Sequence, residues 1–558
     1  MFRTGSSTAE TPHRRPTRGH ERARGRRSGR CASGEQSSHA DVSLPAVEVR
    51  GDLGAEINEL ELRLDPHHET PPTRVRKRDR SERSQLPNDR RQTMHVELAA
   101  GDPYAVGADL VAAAVGARAA ELGAPERAIT DADPVALVYT AATSLAVVAV
   151  EPDVDGLRTG AAQAVRACRG GGTVAWALDA SLPLSVEEQV RALAEGAVLG
   201  GYDARRWASD GHPRGVERFV ICGCGDDLAP VADRAALVAR WTNAARELVD
   251  APPNVVSPAG LAERAAAFPR LLAETIDPAE AGLGGLAAVG ASSPAQPLLI
   301  VLRHEPPGAP AAPRLALVGK AVTFDTGGYF LKPQTDIVRQ KADMAGGAAV
   351  VAALGAIAEL ELPLSVTGVV PACENMLSGS AMRPTDVVRT AAGLTVEVTN
   401  PDAEGRLILA DALWYARRDG ATHLIDLATL TGALRAGMGD VYAGVFATDE
   451  SWRTAVVEAG NASGDLAWPW PLHPRYRPLL DSAVADLRNT AGKSFGFPIV
   501  AATFLQQFAG DGPWAHVDML GPAFLDEDRG DTFGPGATGY GVRMLVELAA
   551  RMSAGATG

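Results

Sequence analysis

The class predicted for this chain is an α/β fold in two units: a smaller N-terminal α/β domain and a larger C-terminal α/β domain whose central, mostly parallel sheet is covered by helices. Two observations predict it. Short apolar runs such as Leu315-Ala-Leu-Val318 and His423-Leu-Ile-Asp-Leu427 recur along the sequence, and continuous apolar runs are what strands buried on both faces require. Between some of them lie helical stretches, such as Gly347 to Leu360 and Gly405 to Arg417. That alternation is the pattern of a parallel sheet layered by helices.

Three regions follow in chain order. Residues 1–93 are rich in Arg, Ser, Pro, Glu and His. They lack the apolar periodicity that would offset the entropy of ordering, so they are expected to be a disordered basic extension, and Met94 is expected to be the native start. Residues 94–240 form the expected N-terminal α/β domain, with strands at Ala136-Leu-Val-Tyr-Thr-Ala and Thr173-Val-Ala-Trp-Ala-Leu and amphipathic helices from Ala161 to Ala167 and from Val186 to Leu199. A connecting helix, the turn Ala251-Pro-Pro-Asn254 and a helix opening near Pro258, a good first-turn residue, come next. Residues 241–558 make the expected catalytic domain, with further strands at Pro297 to Leu302, Leu364 to Val370 and Leu394 to Val398.

Bulk properties exclude several functions. The 558 residues are 46% hydrophobic and carry a net charge of -14, with the positive excess confined to the first region. An acidic body disfavours nucleic acid as a partner, because phosphate binding needs a basic face. Cys31, Cys168, Cys222, Cys224 and Cys373 are odd in number and sparse, which reads as reduced thiols in a cytoplasmic protein. No apolar run reaches the roughly 18 residues of a membrane span.

Chemistry is concentrated in two stretches that otherwise read as core. One runs from Lys320 through Asp325-Thr-Gly-Gly328 and Lys332 to Lys341-Ala-Asp343, and the other is Asp402-Ala-Glu404-Gly-Arg406. Ligands of open α/β sheets bind beyond the carboxyl ends of strands. Lys320 follows one predicted strand, and Asp402 and Glu404 lie between the Leu394–Val398 run and the next helix, so both motifs are expected at that edge. Four converging carboxylates would repel and take up protons unless cations neutralised them. Asp325, Asp343, Asp402 and Glu404 are therefore candidate ligands of two divalent metals, which share a water of lowered pKa in such sites. A lysine ligates metal only when neutral, whereas a charged one stabilises an oxyanion, and Lys320 and Lys332 are open to either role. Arg406 is no base and suits clamping an anion. Taken singly, each residue has a plainer role as a helix cap, a turn residue or a snorkelling lysine; their co-occurrence beside apolar strands carries the argument. Neither His-Glu-x-x-His nor Gly-x-Ser-x-Gly nor a P-loop is present. His516 and Asp518 alternate as on a strand and read as a satisfied structural pair, and Cys373 reads as a buried apolar thiol.

At these residues the chain resembles the leucyl aminopeptidase family, the M17 cytosol aminopeptidases. The likeness rests on Val318-Gly-Lys320, Phe324-Asp325-Thr-Gly-Gly328, Leu331-Lys332-Pro333, Lys341-Ala-Asp343-Met344, Asn400-x-Asp402-Ala-Glu404-Gly-Arg406-Leu407, Ile425-Asp-Leu-Ala-Thr-Leu-Thr431-Gly and Gly536-Ala-Thr-Gly539. It is good from Arg246 onward and weak from Met94 to 240. The resemblance implies a hexamer of two-domain subunits in the cytoplasm that releases N-terminal amino acids from peptides by attack of a metal-bridged hydroxide. It implies one ion (Mn2+ or Zn2+) on Lys320, Asp325, Asp343 and Glu404 and a second on Asp325, Asp402 and Glu404. Lys332 would stabilise the oxyanion, Arg406 would hold a proton-relaying bicarbonate, and Gln340, Leu430 and Gly432 would belong to the substrate pocket. Pro401, the Tyr329-Phe330 pair and Gln340 depart from the family pattern, and Gln340 is expected to turn the pocket away from large apolar residues. The alternative, a catalytically altered relative serving as an oligomeric scaffold or DNA-binding protein, would sit poorly with an intact ligand set.

Overall fold

Two open sheets organise the chain in a computed structural model that describes residues 94–555 apart from 116, 125–134, 140–143, 169, 205–206, 208–214, 269 and 494. The expectations for residues 1–93 lie outside the described residues. The first sheet has six strands in the order His95–Ala99, Val216–Cys222, Gly172–Ala177, Leu110–Ala114, Ser144–Val148 and Val135–Tyr139. All neighbours are parallel except the last pair. The two helices expected in this region are Val154–Ala167 and Val186–Gly200. The second opens with a capping box in which Ser185 and Glu188 satisfy each other's end of the helix.

The second sheet has nine strands. At its centre Trp514–Asp518, His423–Ala428, Arg314–Gly319 and Ser365–Asn375 run parallel. Antiparallel neighbours flank them: Leu298–His304 and then Leu272–Ile276 on one side, Ala443–Ala447 on the other. The predicted strand at Leu394 to Val398 is a correction. Only Thr395–Glu397 is a strand, and it lies in a separate three-stranded sheet with Val387–Arg389 and Leu487–Arg488. Its burial alternates, with Val396 alone fully inside, so it belongs to a ribbon with one covered face rather than to a sheet covered on both.

Helix Ala345–Glu359 lies at the heart of the larger unit. Every residue from Ala345 to Ala358 is buried, as expected for a helix apolar on all sides. Its small side chains let it pack on the sheet, on helix Ala229–Asp250 and on helix Val542–Ser553 at once. At Gly355 a Cβ would lie 2.2 Å from the Trp241 ring, so no side chain fits at that crossing. Helix Ala229–Asp250 runs unbroken through residue 240, where the sequence predicts a domain boundary, and carries the chain from one sheet to the other. No helix among the described residues is long and apolar enough to cross a membrane.

A buried ionic network ties the first sheet's helices to the larger unit. Arg543 Nη1 lies 3.0 Å from Glu195 Oε1 and its Nη2 lies 2.7 Å from Asp465 Oδ1. Asp465 also accepts the main-chain N–H groups of Gly541 and Met544, and Arg158 Nε is 3.1 Å from Glu195 Oε2. Removing one member strands the others as uncompensated charge in a dry interior. Arg543→Leu is therefore expected to destabilise the protein by about 3–5 kcal/mol, read as a lowered midpoint in chemical denaturation; an unchanged midpoint would show that the network contributes nothing.

Candidate metal centre and active site

Lys320 is the single residue between strands Arg314–Gly319 and Ala321–Asp325. The long strand Ser365–Asn375 pairs with both, Val369 opposite Val318 and Ala372 opposite Ala321. The break is held open by main-chain bonds: Lys320 N–H donates to Leu427 O at 3.0 Å, and its carbonyl accepts from Gly347 N at 2.7 Å. Such close passage of three backbones requires glycine. A Cβ on Gly319 would lie 2.5 Å from Gly346 O, and one on Gly346 would lie 2.1 Å from Leu427 O. The Lys320 side chain is thereby sent into the interior at the carboxyl edge of the parallel strands.

The acids arrive from separate elements. Asp325 ends its strand, and its Oδ1 accepts from Gly327 N and Asn375 Nδ2, both at 2.8 Å. Gly327 takes φ +85° to make that turn. Asp343 follows the Gln340–Ala342 turn and accepts Thr429 Oγ1–H at 2.8 Å. Glu404 is the residue before helix Gly405–Arg418, and Asp402 lies two residues earlier, its N–H on Asn400 Oδ1. The Pro401 carbonyl accepts from Asn375 Nδ2 at 3.2 Å.

Asp325, Asp343 and Glu404 are buried and each offers an oxygen within 4.8 Å of the others. Asp402 stands outside this trio and joins it through a lysine: Lys332 Nζ lies 2.8 Å from Asp325 Oδ2 and also contacts Asp402 Oδ1. Lys320 Nζ is 2.8 Å from Asp343 Oδ2, 2.9 Å from Glu404 Oε1 and 3.2 Å from Thr429 O. Burial pushes the Asp343 carboxyl up to about 8 and the Asp402 carboxyl up to about 6, against the pull of the lysines. Burial likewise disfavours the Lys320 ammonium, but Asp343 and Glu404 outweigh it and hold its pKa above the usual value. Glu404 Oε2 has no hydrogen-bond partner despite complete burial. Three hard oxygen donors in contact range and one orphaned buried carboxylate oxygen fit a divalent cation.

The cluster opens on a cavity of about 850 Å3 lined by Lys332, Gln340, Arg406, Leu430 and Gly432 among others. The structure thus brings the candidate metal-ligating, catalytic and pocket residues to one cavity. Arg406 donates through Nη1 to Asn489 O at 2.6 Å, while its buried Nε has no partner. Burial lowers its pKa only to about 10, so it is a cation at neutral pH.

His516 and Asp518 are each satisfied, but not by one another. His516 Nδ1 is 2.6 Å from Asp426 Oδ1, and Asp518 accepts from the Thr431 hydroxyl at 2.5 Å and from the N–H groups of Leu430 and Thr431. Two residues apart on one strand, the side chains share a face, but each is taken by a different neighbour: His516 by the residue paired with it on the adjacent strand, and Asp518 by the loop that leaves that strand. Cys373 is fully buried among apolar neighbours.

Sequence reasoning missed four supporting residues. Asn375 braces Asp325, Thr429 braces Asp343, and Asn489 accepts the N–H groups of Thr399 and Asn400 and so holds the loop that delivers Asp402 and Glu404. A polar residue at the very end of an apolar strand, as at Asn375, or just past one, as at Thr429, was the available signal; Asn489 had none. The fourth is Gly405, where a Cβ would lie 2.6 Å from Lys320 Cε and 2.7 Å from Nζ. Gly405→Ala is expected to displace the Lys320 amine and reduce kcat by about tenfold or more, in keeping with the sensitivity of catalysis to small misplacements, with the circular dichroism spectrum unchanged. Wild-type turnover would show that Lys320 tolerates the shift.

Comparisons with known proteins show the family. Residues 243–546 match the cytosol aminopeptidase family, catalytic domain. A probable cytosol aminopeptidase of Solibacter usitatus is 40% identical over 403 residues, covering 71% of this chain and 84% of that protein. One from Streptomyces coelicolor is 41% identical over 436 residues, 73% of this chain and 82% of its own length. Among solved structures, the bottromycin maturation enzyme BotP in complex with Mn superposes with a TM-score of 0.72 at 35% identity, covering 80% of this chain and 100% of that one. A tomato leucine aminopeptidase variant gives 0.73 at 32% identity, covering 82% and 96%. The chain belongs to the cytosol aminopeptidase family, as a metal-dependent hydrolase that removes residues from the N-termini of peptides.

Proposed function

We propose that Lys320, Asp325, Asp343, Asp402 and Glu404 hold two divalent cations on the floor of the cavity, manganese or zinc, and that Lys332 and Arg406 are the catalytic groups. The observation that carries this reading is the buried carboxylate trio with its unpartnered Glu404 oxygen. Cations in such a site lower the pKa of water and polarise the scissile carbonyl. Lys320 suits ligation for a physical reason. Its ammonium is stabilised here chiefly by Asp343 and Glu404, with Asp325 and the Thr429 carbonyl adding to them. Positive charge shared among those carboxylates would cancel that attraction, and burial would then favour the neutral amine with its free lone pair.

The remaining steps fall to the chain's own side chains. Lys332 is less buried than Lys320 and lines the open cavity, so water supports its ammonium where cations neutralise the carboxylates, and that ammonium stabilises the oxyanion that forms when water adds to the peptide carbonyl. Arg406, fixed by Asn489, would hold a bicarbonate beside the site through its free Nε–H. Such an anion would supply the base that takes the water's proton and returns it to the departing amine as the C–N bond breaks, so that one water is consumed and two termini are released. Gln340, Leu430 and Gly432 form the pocket for the substrate side chain. We read the six-stranded region as the N-terminal domain and the remainder as the catalytic one. Relatives named cytosol aminopeptidase support a cytoplasmic setting, and by family analogy the active assembly is a homohexamer. No observation favours the scaffold or DNA-binding alternative.

Three results test the assignment on a peptide anilide. Chelation should abolish turnover of the purified protein and added manganese should restore it; retention of activity after the metal is gone, by elemental analysis, would refute the metal site. Asp402→Ala should be inactive with its fold intact, and Lys332→Ala should lower kcat by about 10²–10³. Unchanged turnover in either variant would remove that residue from the mechanism.

A further inference from the structure

Two guanidinium groups border the cavity that the catalytic steps leave unused. Arg339 immediately precedes Gln340, and Arg435 lies in helix Gly432–Met438, one turn beyond Gly432 and on the same face. Both arginines line the cavity. They share one carboxylate: Arg339 Nε is 3.0 Å from Asp526 Oδ1, and Arg435 Nη2 is 2.8 Å from Asp526 Oδ2. Among the described residues neither guanidinium has another recorded hydrogen-bond or ion-pair partner.

Each guanidinium carries five N–H donors in a planar fork. One oxygen apiece leaves most of them free, and one negative charge is divided between two positive ones. Burial and the adjacent Arg435 charge hold Arg339 below the usual arginine value, a loss that Asp526 and Asp336 do not make good. Asp336 also lines the cavity, but it is exposed and already accepts from Thr335 Oγ1 at 3.2 Å, so solvent screens it. The Phe524 ring, 5.8 Å from the Arg339 guanidinium, lines the same wall and limits that side chain's freedom. Half-buried, pre-oriented forks with open donors are built for a carboxylate, which they bind through two parallel N–H···O bonds.

We propose that Arg339 and Arg435 form a carboxylate-binding rim of the pocket for the substrate's N-terminal side chain, so that peptides beginning with Glu or Asp are preferred to those beginning with Gln or Asn. The proposal rests on the aminopeptidase reading. The amide of Gln340 adds a polar neighbour on the same wall, and the pair supplies the positive charge that Gln340 lacks. An acidic side chain takes the donors that Asp526 leaves open, without disturbing the metal ligands.

The test compares kcat/KM for the p-nitroanilides of Glu, Gln and Leu, using the full chain with manganese. The expected Glu-to-Gln ratio is roughly ten- to hundredfold, as hydrogen bonds to a charged partner imply. In Arg339→Ala/Arg435→Ala the ratio should fall to near one through KM, with the Leu anilide still cleaved, and Arg435→Lys should keep part of the preference. If the double variant also loses Leu turnover, Arg435→Gln alone is used, and its ratio should fall severalfold. A wild-type ratio of one or below, or a ratio that these substitutions leave unchanged, would overturn the proposal. Failure to cleave any anilide, Leu included, would bring down the aminopeptidase reading and this proposal with it.

Discussion

Mutual neutralisation of buried charge is the constraint on which the rest of this structure turns. Lys320, Asp325, Asp343 and Glu404 are all nearly inaccessible to solvent, and each alone would face a desolvation penalty of several kcal/mol. They persist because ammonium and carboxylate groups stand 2.8–2.9 Å apart. The arrangement is balanced but incompletely satisfied: Glu404 keeps a free oxygen and Arg406 a free N–H. Those unmet valences are what the proposed cation and anion would fill, and the same imbalance that makes the pocket expensive in free energy suits it to chemistry.

Holding such a cluster together demands a rigid surround. The glycines at 319, 346 and 405 let backbones and the Lys320 stem approach within distances no side chain would permit. Asn375, Thr429 and Asn489 each fix one acidic segment by a side-chain hydrogen bond. Behind the cavity, Asp518 gathers the N–H groups of Leu430 and Thr431, and His516 with Trp514 satisfies Asp426. These buried polar residues carry no ligand themselves. They set the position of the loop that lines the pocket, which is the usual office of groups one layer out from a reacting centre.

The parallel strands explain why the cluster forms at this edge. Four of them end side by side, and the segments that leave two of them, at Lys320 and Thr429, cross the same rim, while Asp402 and Glu404 reach it from the three-stranded ribbon. Helix Ala345–Glu359, covered on all sides, fixes the first ligand segment from below. The Arg543 network couples the six-stranded region to this body through charge rather than apolar contact alone.

Much of this was legible in the residues. Apolar runs at Leu315 to Val318 and His423 to Leu427 marked central strands because strands with both faces covered have no polar side to alternate with. Lys320, Asp325, Asp343, Asp402 and Glu404 stood out because ionisable groups inside such runs need partners. The Leu394 to Val398 run misled, since a short apolar stretch does not declare which sheet it joins. Its fate was decided by Val387–Arg389 and Leu487–Arg488, the latter some 90 residues away. The partner of His516 was hidden likewise: Asp426 lies 90 positions earlier and meets it only through strand pairing. The sequence by itself determined the fold class and the candidate ligands, because apolar patterning and charge are properties of residues in order. Only the tertiary structure decided that Asp402 reaches the trio through Lys332, that Asn489 carries the second motif, and that Arg339 and Arg435 share one carboxylate. Those are distances between parts of the chain that no local pattern encodes.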